Sequence, residues 1–336
     1  MVDGKGPGIS GVVEHPGEAD LLSWQRPTWR RGLQLALGVV WLLDGMLQLA
    51  PFMFTPGAKG FSGMLAGTAT GNPKPVASSI TWNSNVVDHH AVATNAVFAL
   101  IQILIGLGIA WRPTVKPALT LSVVWALGVW WFGEGLGGVL HGTGSPLSGG
   151  PGAVLFYALL AILLWPTSTE GSTPFAAAGL IGVGAARVLW TAIWAFLALL
   201  CLLGSGRAPG GVSDMINTVN SGEPGWLSAI DRHATSAVNG NGLAVAVVFA
   251  ALFLMIAACV YFPPWATRVT LGVTIVLSLA IWVVTENFGM ILAGGATDPN
   301  SGPVLVLLAL SFWPVAPATL RTTSPASRTT ATLEMV

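Results

Sequence analysis

Charge is what this sequence has least of. Lys, Arg, Asp and Glu make up 8% of its 336 residues, against roughly 25% in ordinary globular proteins. Hydrophobic residues are 53%, and the mean hydropathy is +0.71. Fourteen basic and fourteen acidic groups cannot clothe a water-facing surface of this size. They also cancel, which leaves no basic field for nucleic acid. Cysteine is nearly absent: Cys201 and Cys259 both sit in apolar runs and read as small core residues, not a disulfide or ligand pair. There is no G-x-x-x-x-G-K-[ST] phosphate loop. No lysine lies inside an apolar run, which excludes a retinal Schiff base, and no arginine ladder exists for a voltage sensor. None of the five histidines lies deep in a run, which argues against bis-histidine haem. The first 25 residues carry no apolar h-region, so no cleavable signal peptide is expected. What remains is an all-α integral membrane protein.

A spanning helix needs about 20 mostly apolar residues. Eight stretches qualify: 31–50, 91–111, 117–138, 151–166, 186–204, 241–262, 268–292 and 303–319. The fourth and eighth are short and begin at Pro151 and Pro303, prolines suited to a first helical turn. Ten of the fourteen basic residues (Lys5, Arg26, Arg30, Arg31, Arg112, Lys116, Arg187, Arg268, Arg321, Arg328) fall at one end of these spans. The positive-inside rule then places both termini in the cytoplasm. Tryptophans near the span ends, such as Trp29, Trp82, Trp111, Trp226 and Trp265, suit an aromatic belt. The polar tails, 1–29 and 320–336, read as disordered.

The chain repeats itself. At an offset of 152, Lys116 meets Arg268, Trp130 meets Trp282, Glu134 meets Glu286, Gly137 meets Gly289, and Gly150-Pro151 meets Gly302-Pro303. Both blocks read W-x3-E-x2-G, and both final spans end in Trp-Pro. At an offset of 151, Gly60, Ser62, Met64, Gly71 and Pro73 meet Gly211, Ser213, Met215, Gly222 and Pro224. There, Phe61, Met64, Leu65 and Thr68 in one loop, and Val212, Met215, Ile216 and Val219 in the other, fall at i, i+3, i+4, i+7. That spacing predicts short amphipathic helices on the outer face. The expected organisation is two parallel four-helix repeats, 30–166 and 186–319, joined by a cytoplasmic linker at 167–185.

The first repeat resembles the DoxX-like four-helix membrane proteins. The residues that carry the resemblance are Leu37-Gly38, Leu42, Gly45 and Gln48-Leu49 in the first span, Gly60-Phe61 in the loop, and Gln102 before Gly106 and Gly108 in the second span. The resemblance implies an accessory subunit of a membrane redox system in a bacterial inner membrane, with redox-complex subunits as partners and a lipid-soluble, quinone-like ligand. Asp44 departs from the small residue usual in that family.

Polar residues within spans are costly and mark candidate sites. Asp44 lies about 21 Å along its helix from Arg30, and Glu134 and Glu286 lie about 27 Å along theirs, all toward the outer end. The carboxylates either fix the Gly-rich loops at 137–150 and 289–302 or, with Gln102, Trp130 and Trp282, bind a quinone or lipid. Asp44 aligns with Leu197 and must be protonated or paired across helices. Two D-x-H motifs, Asp88-His89-His90 and Asp231-Arg232-His233, stand before spans two and six. They read as helix N-caps or, with His141, Glu134 and Glu286, as Zn or Cu ligands. A small-solute or ion transporter and a structural protein without ligand are the competing functions. No catalytic residue stands out.

Overall fold

In a computed structural model, residues 28–167, 173–220 and 222–315 are described. Of the expected polar tails, all but Thr28 and Trp29 lie outside this range. The described residues form helices and turns, with no strand. Twelve α-helices follow one another: α1 (Trp29–Leu47), α2 (Phe61–Thr68), α3 (Lys74–His89), α4 (Ala91–Ala110), α5 (Val115–Phe132), α6 (Ala153–Leu163), α7 (Ala178–Leu203), α8 (Gly211–Val219), α9 (Gly225–Val238), α10 (Gly242–Ala258), α11 (Pro264–Val284) and α12 (Ser301–Ser311).

Five helical stretches among the described residues are long and apolar enough to cross a membrane: 91–110, 112–132, 178–203, 242–261 and 264–284. Leu100, Leu104 and Leu107 on α4, Val188 and Leu199 on α7, Val247 and Leu254 on α10, and Val269 and Val276 on α11 are exposed. Apolar stripes of that length suit lipid, not water. The chain is therefore a multi-pass membrane protein. The expectation of eight full spans is not met. Helix α1 is 19 residues long but carries Arg30, Arg31 and Asp44. Helices α6 and α12 have 11 residues each, about 16 Å of rise, roughly half a hydrocarbon core. Their apolar runs continue past them in sequence, but the chain leaves the helix at Leu164 and Phe312.

Packing explains how such short helices persist. Helix α1 runs along α4 and α7 along α10, α5 packs on α6 and α11 on α12, and α6 meets α12 at the centre. The flanks close in the same sense, with α12 touching α1 and α6 touching α7. Eight of eleven residues are buried in each of α6 and α12. Trp41, Tyr157, Leu160, Trp190, Trp194, Phe253, Leu308 and Phe312 belong to one continuous core. Between α1 and α4 the backbones touch through Gly38 and Gly106: a Cβ on Gly106 would stand 2.8 Å from the Gly38 carbonyl oxygen. Cys201 and Cys259 are unpaired and buried in the core.

The two ends differ in chemistry. At the end that holds the α1 N-terminus, Arg31 donates to the carbonyls of Ile109 (2.8 Å) and Ala110 (2.5 Å), the last residues of α4. A cation there meets the negative end of the helix dipole. The opposite end carries α2 and α8, the amphipathic helices predicted from spacing, which bury Phe61 and Leu65, and Val212 and Ile216. It also carries α3 and α9, which lie between the apolar runs of the sequence. The expected linker is partly helical too: α7 begins at Ala178 and breaks only at Gly182 (φ 80°).

Candidate functional site

The W-x3-E motif has one geometry in both places. Trp130 Nε1 donates to the Pro151 carbonyl at 2.6 Å, and Trp282 Nε1 to the Pro299 carbonyl at 2.6 Å. One turn later the carboxylate reaches the start of the next short helix. Glu134 accepts from the Val154 N–H (3.4 Å), and Glu286 from the Gly302 N–H (3.2 Å) and the Ser301 hydroxyl. Each glutamate thus caps a helix that lies beyond a loop, satisfying N–H groups that have no partner inside that helix.

The loop lengths are unequal. The capped N–H is 20 residues after Glu134 but 16 after Glu286. The expected pairing of Gly150-Pro151 with Gly302-Pro303 is therefore corrected. Pro151 corresponds in its contacts to Pro299, and Pro303 lies inside α12. The indole, the carboxylate and the helix start are held in place, and the intervening loop absorbs the difference.

Just after each glutamate the backbone turns left-handed. Gly135, Leu136, Gly137 and Gly138 have φ of 56–71°, and Asn287, Phe288, Gly289 and Met290 of 47–65°. L-residues with side chains resist this region by about 1–2 kcal/mol each. The Asn287 amide is anchored to the Val219 carbonyl and to Glu223, both at 2.7 Å. Phe288 lies edge-on between Trp226 and Trp282. Met290 has no comparable anchor among the described contacts. Met290→Gly is expected to stabilise the protein by about 1 kcal/mol in chemical unfolding, by releasing the left-handed strain. An unchanged midpoint would refute it.

Between α1, α4, α5 and these loops lies a cavity of about 920 Å³, roofed by α2. Its apolar wall includes Trp41, Phe61, Phe98, Trp125 and Phe132, and reaches the exposed Leu121 and Val124 on the outside of α5. Its polar wall holds Asp44, Gln48, Gln102, Glu134, His141, Glu286, Asp298 and Asn300. Asp44 is 1% exposed and accepts the Tyr157 hydroxyl hydrogen bond at 3.1 Å. Gln48 donates to Asn95 at 2.5 Å. No Lys or Arg is among the described lining residues. Burial, reinforced by the negative charge of Asp298, pushes the Glu134 carboxyl up to about 8. Burial raises Glu286 to about 7 and also raises Asp298.

Of the sequence candidates, Asp44, Gln102, Glu134 and Glu286 thus share one cavity. Trp130 and Trp282 are not on its wall; they hold the loops that form it. Sequence reasoning missed Asp298, Tyr157 and Gln48. Asp298 sits in a polar loop that looks solvated in sequence, in the half of the chain opposite to Asp44. Tyr157 had a signal: it is one of two tyrosines in the chain and interrupts an apolar run.

The D-x-H motifs do not form the expected sites. Asp88 lies in the last turn of α3, not before α4, so it caps no span. It accepts from the Ser62 hydroxyl (2.7 Å) and the Gly57 N–H (2.6 Å), which hold its carboxyl below the usual range. Asp231 is inside α9. The residue in the position of Asp88 is Asn239, which pairs with Ser213 at 3.5 Å as Asp88 pairs with Ser62. His89 and His233 each turn back to a carbonyl of their own helix, Asn85 and Ala229. His90 ends α3 exposed, and His141 pairs with Thr143 at 2.9 Å. Among the described residues no three His, Cys, Asp or Glu side chains gather as a metal site would require. Asp231 is instead buried beside Glu223, and burial with that neighbouring carboxyl raises it to about 7.

Comparison with protein families, with curated proteins and with solved structures gives no match to this chain.

Proposed function

We propose that the chain is a tandem pair of four-helix units with a binding site for a lipid-soluble ligand, built on the first unit and completed by the loop before α12. The cavity carries this reading: about 920 Å³ that runs from buried carboxyls to apolar residues on the lipid-facing side of α5. A ligand with an apolar body and a polar head fits such a wall. The packing order supports the duplication, because α1–α4, α5–α6 and α12–α1 are matched by α7–α10, α11–α12 and α6–α7.

Asp44 is not needed to build a unit. Where the first unit has Asp44, the second has Leu197, which is buried in the same core as Trp194. The second unit also buries Phe253 and Leu305, and it has no carboxyl at the position of Asp44. Keeping an ionisable group at Asp44 costs stability, which is consistent with use. A quinone-like head group and a redox-accessory role are the narrower form of this reading, implied by the DoxX-like resemblance.

Gly128 gives a clean test. It lines the cavity on α5, and nothing lies within 4 Å of where its Cβ would be. Gly128→Phe puts a benzyl group into the cavity and removes no carboxyl. Solvent extraction and mass spectrometry of the purified protein should find a stoichiometric lipophile in the wild type and at least tenfold less in the variant, at equal thermal stability. Equal content in both, or none in the wild type, sinks the reading.

A further inference from the structure

We propose that the head group of this ligand is an organic ammonium or similar N–H cation, taken up between Asp44, Glu134 and Asp298 in exchange for a proton. The inference rests on the ligand-binding reading above and names its substrate class.

Three observations carry it. The cavity contains four carboxyls (Asp44, Glu134, Glu286 and Asp298) and, among the described residues, no Lys or Arg to neutralise them. Two of its three unsatisfied buried polar atoms are oxygens, Gln102 Oε1 and Glu134 Oε2, with Gln102 only 7% exposed; the third is the Trp125 Nε1 donor. Oxygens of this kind are satisfied by a ligand that brings donors, which a quinone carbonyl does not. The wall beside them is aromatic, with Trp41, Phe98 and Trp125, and ring faces attract cations.

Charge bookkeeping sets the exchange. Asp44 comes from α1, Glu134 and His141 from the loop before α6, and Glu286 and Asp298 from the loop before α12, with Tyr157 of α6 against Asp44. Helices α2, α3, α4 and α5 give the cavity no titratable side chain. Burial holds the proton on Glu134 up to about pH 8. An incoming monovalent cation takes the place of that proton, which leaves for bulk water, and the net charge of the site is unchanged.

Detergent-purified protein should bind rhodamine 6G, a fixed cation with N–H donors, in a fluorescence polarisation assay. Its Kd should fall about tenfold per pH unit between pH 6 and pH 8, the slope for one displaced proton. Asp298→Asn and Gln102→Leu should each weaken binding at least tenfold. Glu134→Gln should flatten the pH slope, Asp44→Asn, which keeps an acceptor for Tyr157, should weaken binding at least tenfold, and an unchanged thermal midpoint in each variant excludes misfolding as the cause. If decylubiquinone quenches tryptophan fluorescence saturably and rhodamine 6G does not bind, the cation inference is overturned and the ligand site stands. If neither binds, both fail. Cation binding without a pH slope, or unchanged in Asp298→Asn, also overturns it.

Discussion

Glu286→Ala lowers the unfolding free energy by about 3 kcal/mol, combining a lost helix cap with buried donors left unpaired. The carboxylate is 2% exposed and serves the Ser301 hydroxyl and the Gly302 N–H at the start of α12. Without it, those donors lose their acceptor. Glu286→Gln keeps an acceptor oxygen and should lose about 1 kcal/mol or less. Thermal or chemical unfolding in one detergent measures both. Equal losses for Ala and Gln would show that charge, not capping, matters. The same carboxyls make stability depend on pH. In the unfolded chain Glu134 and Glu286 ionise near the ordinary 4.5, but in the folded protein only near 8 and 7. Their contribution is therefore fully present below pH 4.5 and is lost as pH rises to about 7–8. The midpoint should fall across that window in the wild type and stay flatter in the double glutamine variant.

Gly152→Ala should be more damaging still, by more than about 3 kcal/mol, because strain and overpacking act together. Gly152 sits just before α6 with φ +117°, a conformation that L side chains rarely adopt. Its added Cβ would overlap Glu134 Oε2 and stand 2.7 Å from Trp130 Cδ1. The methyl would displace both the cap and the indole that holds Pro151. Gly142→Ala separates the two causes, since φ there is +72° but nothing lies within 4 Å. It should cost about 1 kcal/mol, the backbone part alone. Similar losses at both positions would argue that packing around Glu134 is loose.

Much of this is legible in the sequence. Apolar runs located the five long spans, because length and hydropathy are what a bilayer selects. The i, i+3, i+4, i+7 spacing found α2 and α8. The recurrence of W-x3-E marked the two loops that bring Trp130 and Glu134, and Trp282 and Glu286, to equivalent tasks. The failures have physical causes. Helices α3 and α9 are mixed in polarity, and Asp88 and Asp231 resemble caps of the helices that follow. Offsets held while helices were continuous and failed where the loop after Glu286 is four residues shorter than that after Glu134. Asp298 could not be placed, because only tertiary folding brings a polar loop of one half beside Asp44 of the other.

The remote caps have a kinetic side. Each central helix is closed by a residue two positions past the end of the helix before it, so α6 cannot fray from its N-terminus without breaking its tie to the end of α5, and α12 stands in the same relation to α11. Each pair opens and recloses as one cooperative unit, and its slowest-exchanging amides should include those of Val154 and Gly302, at helix starts where exchange is ordinarily fast.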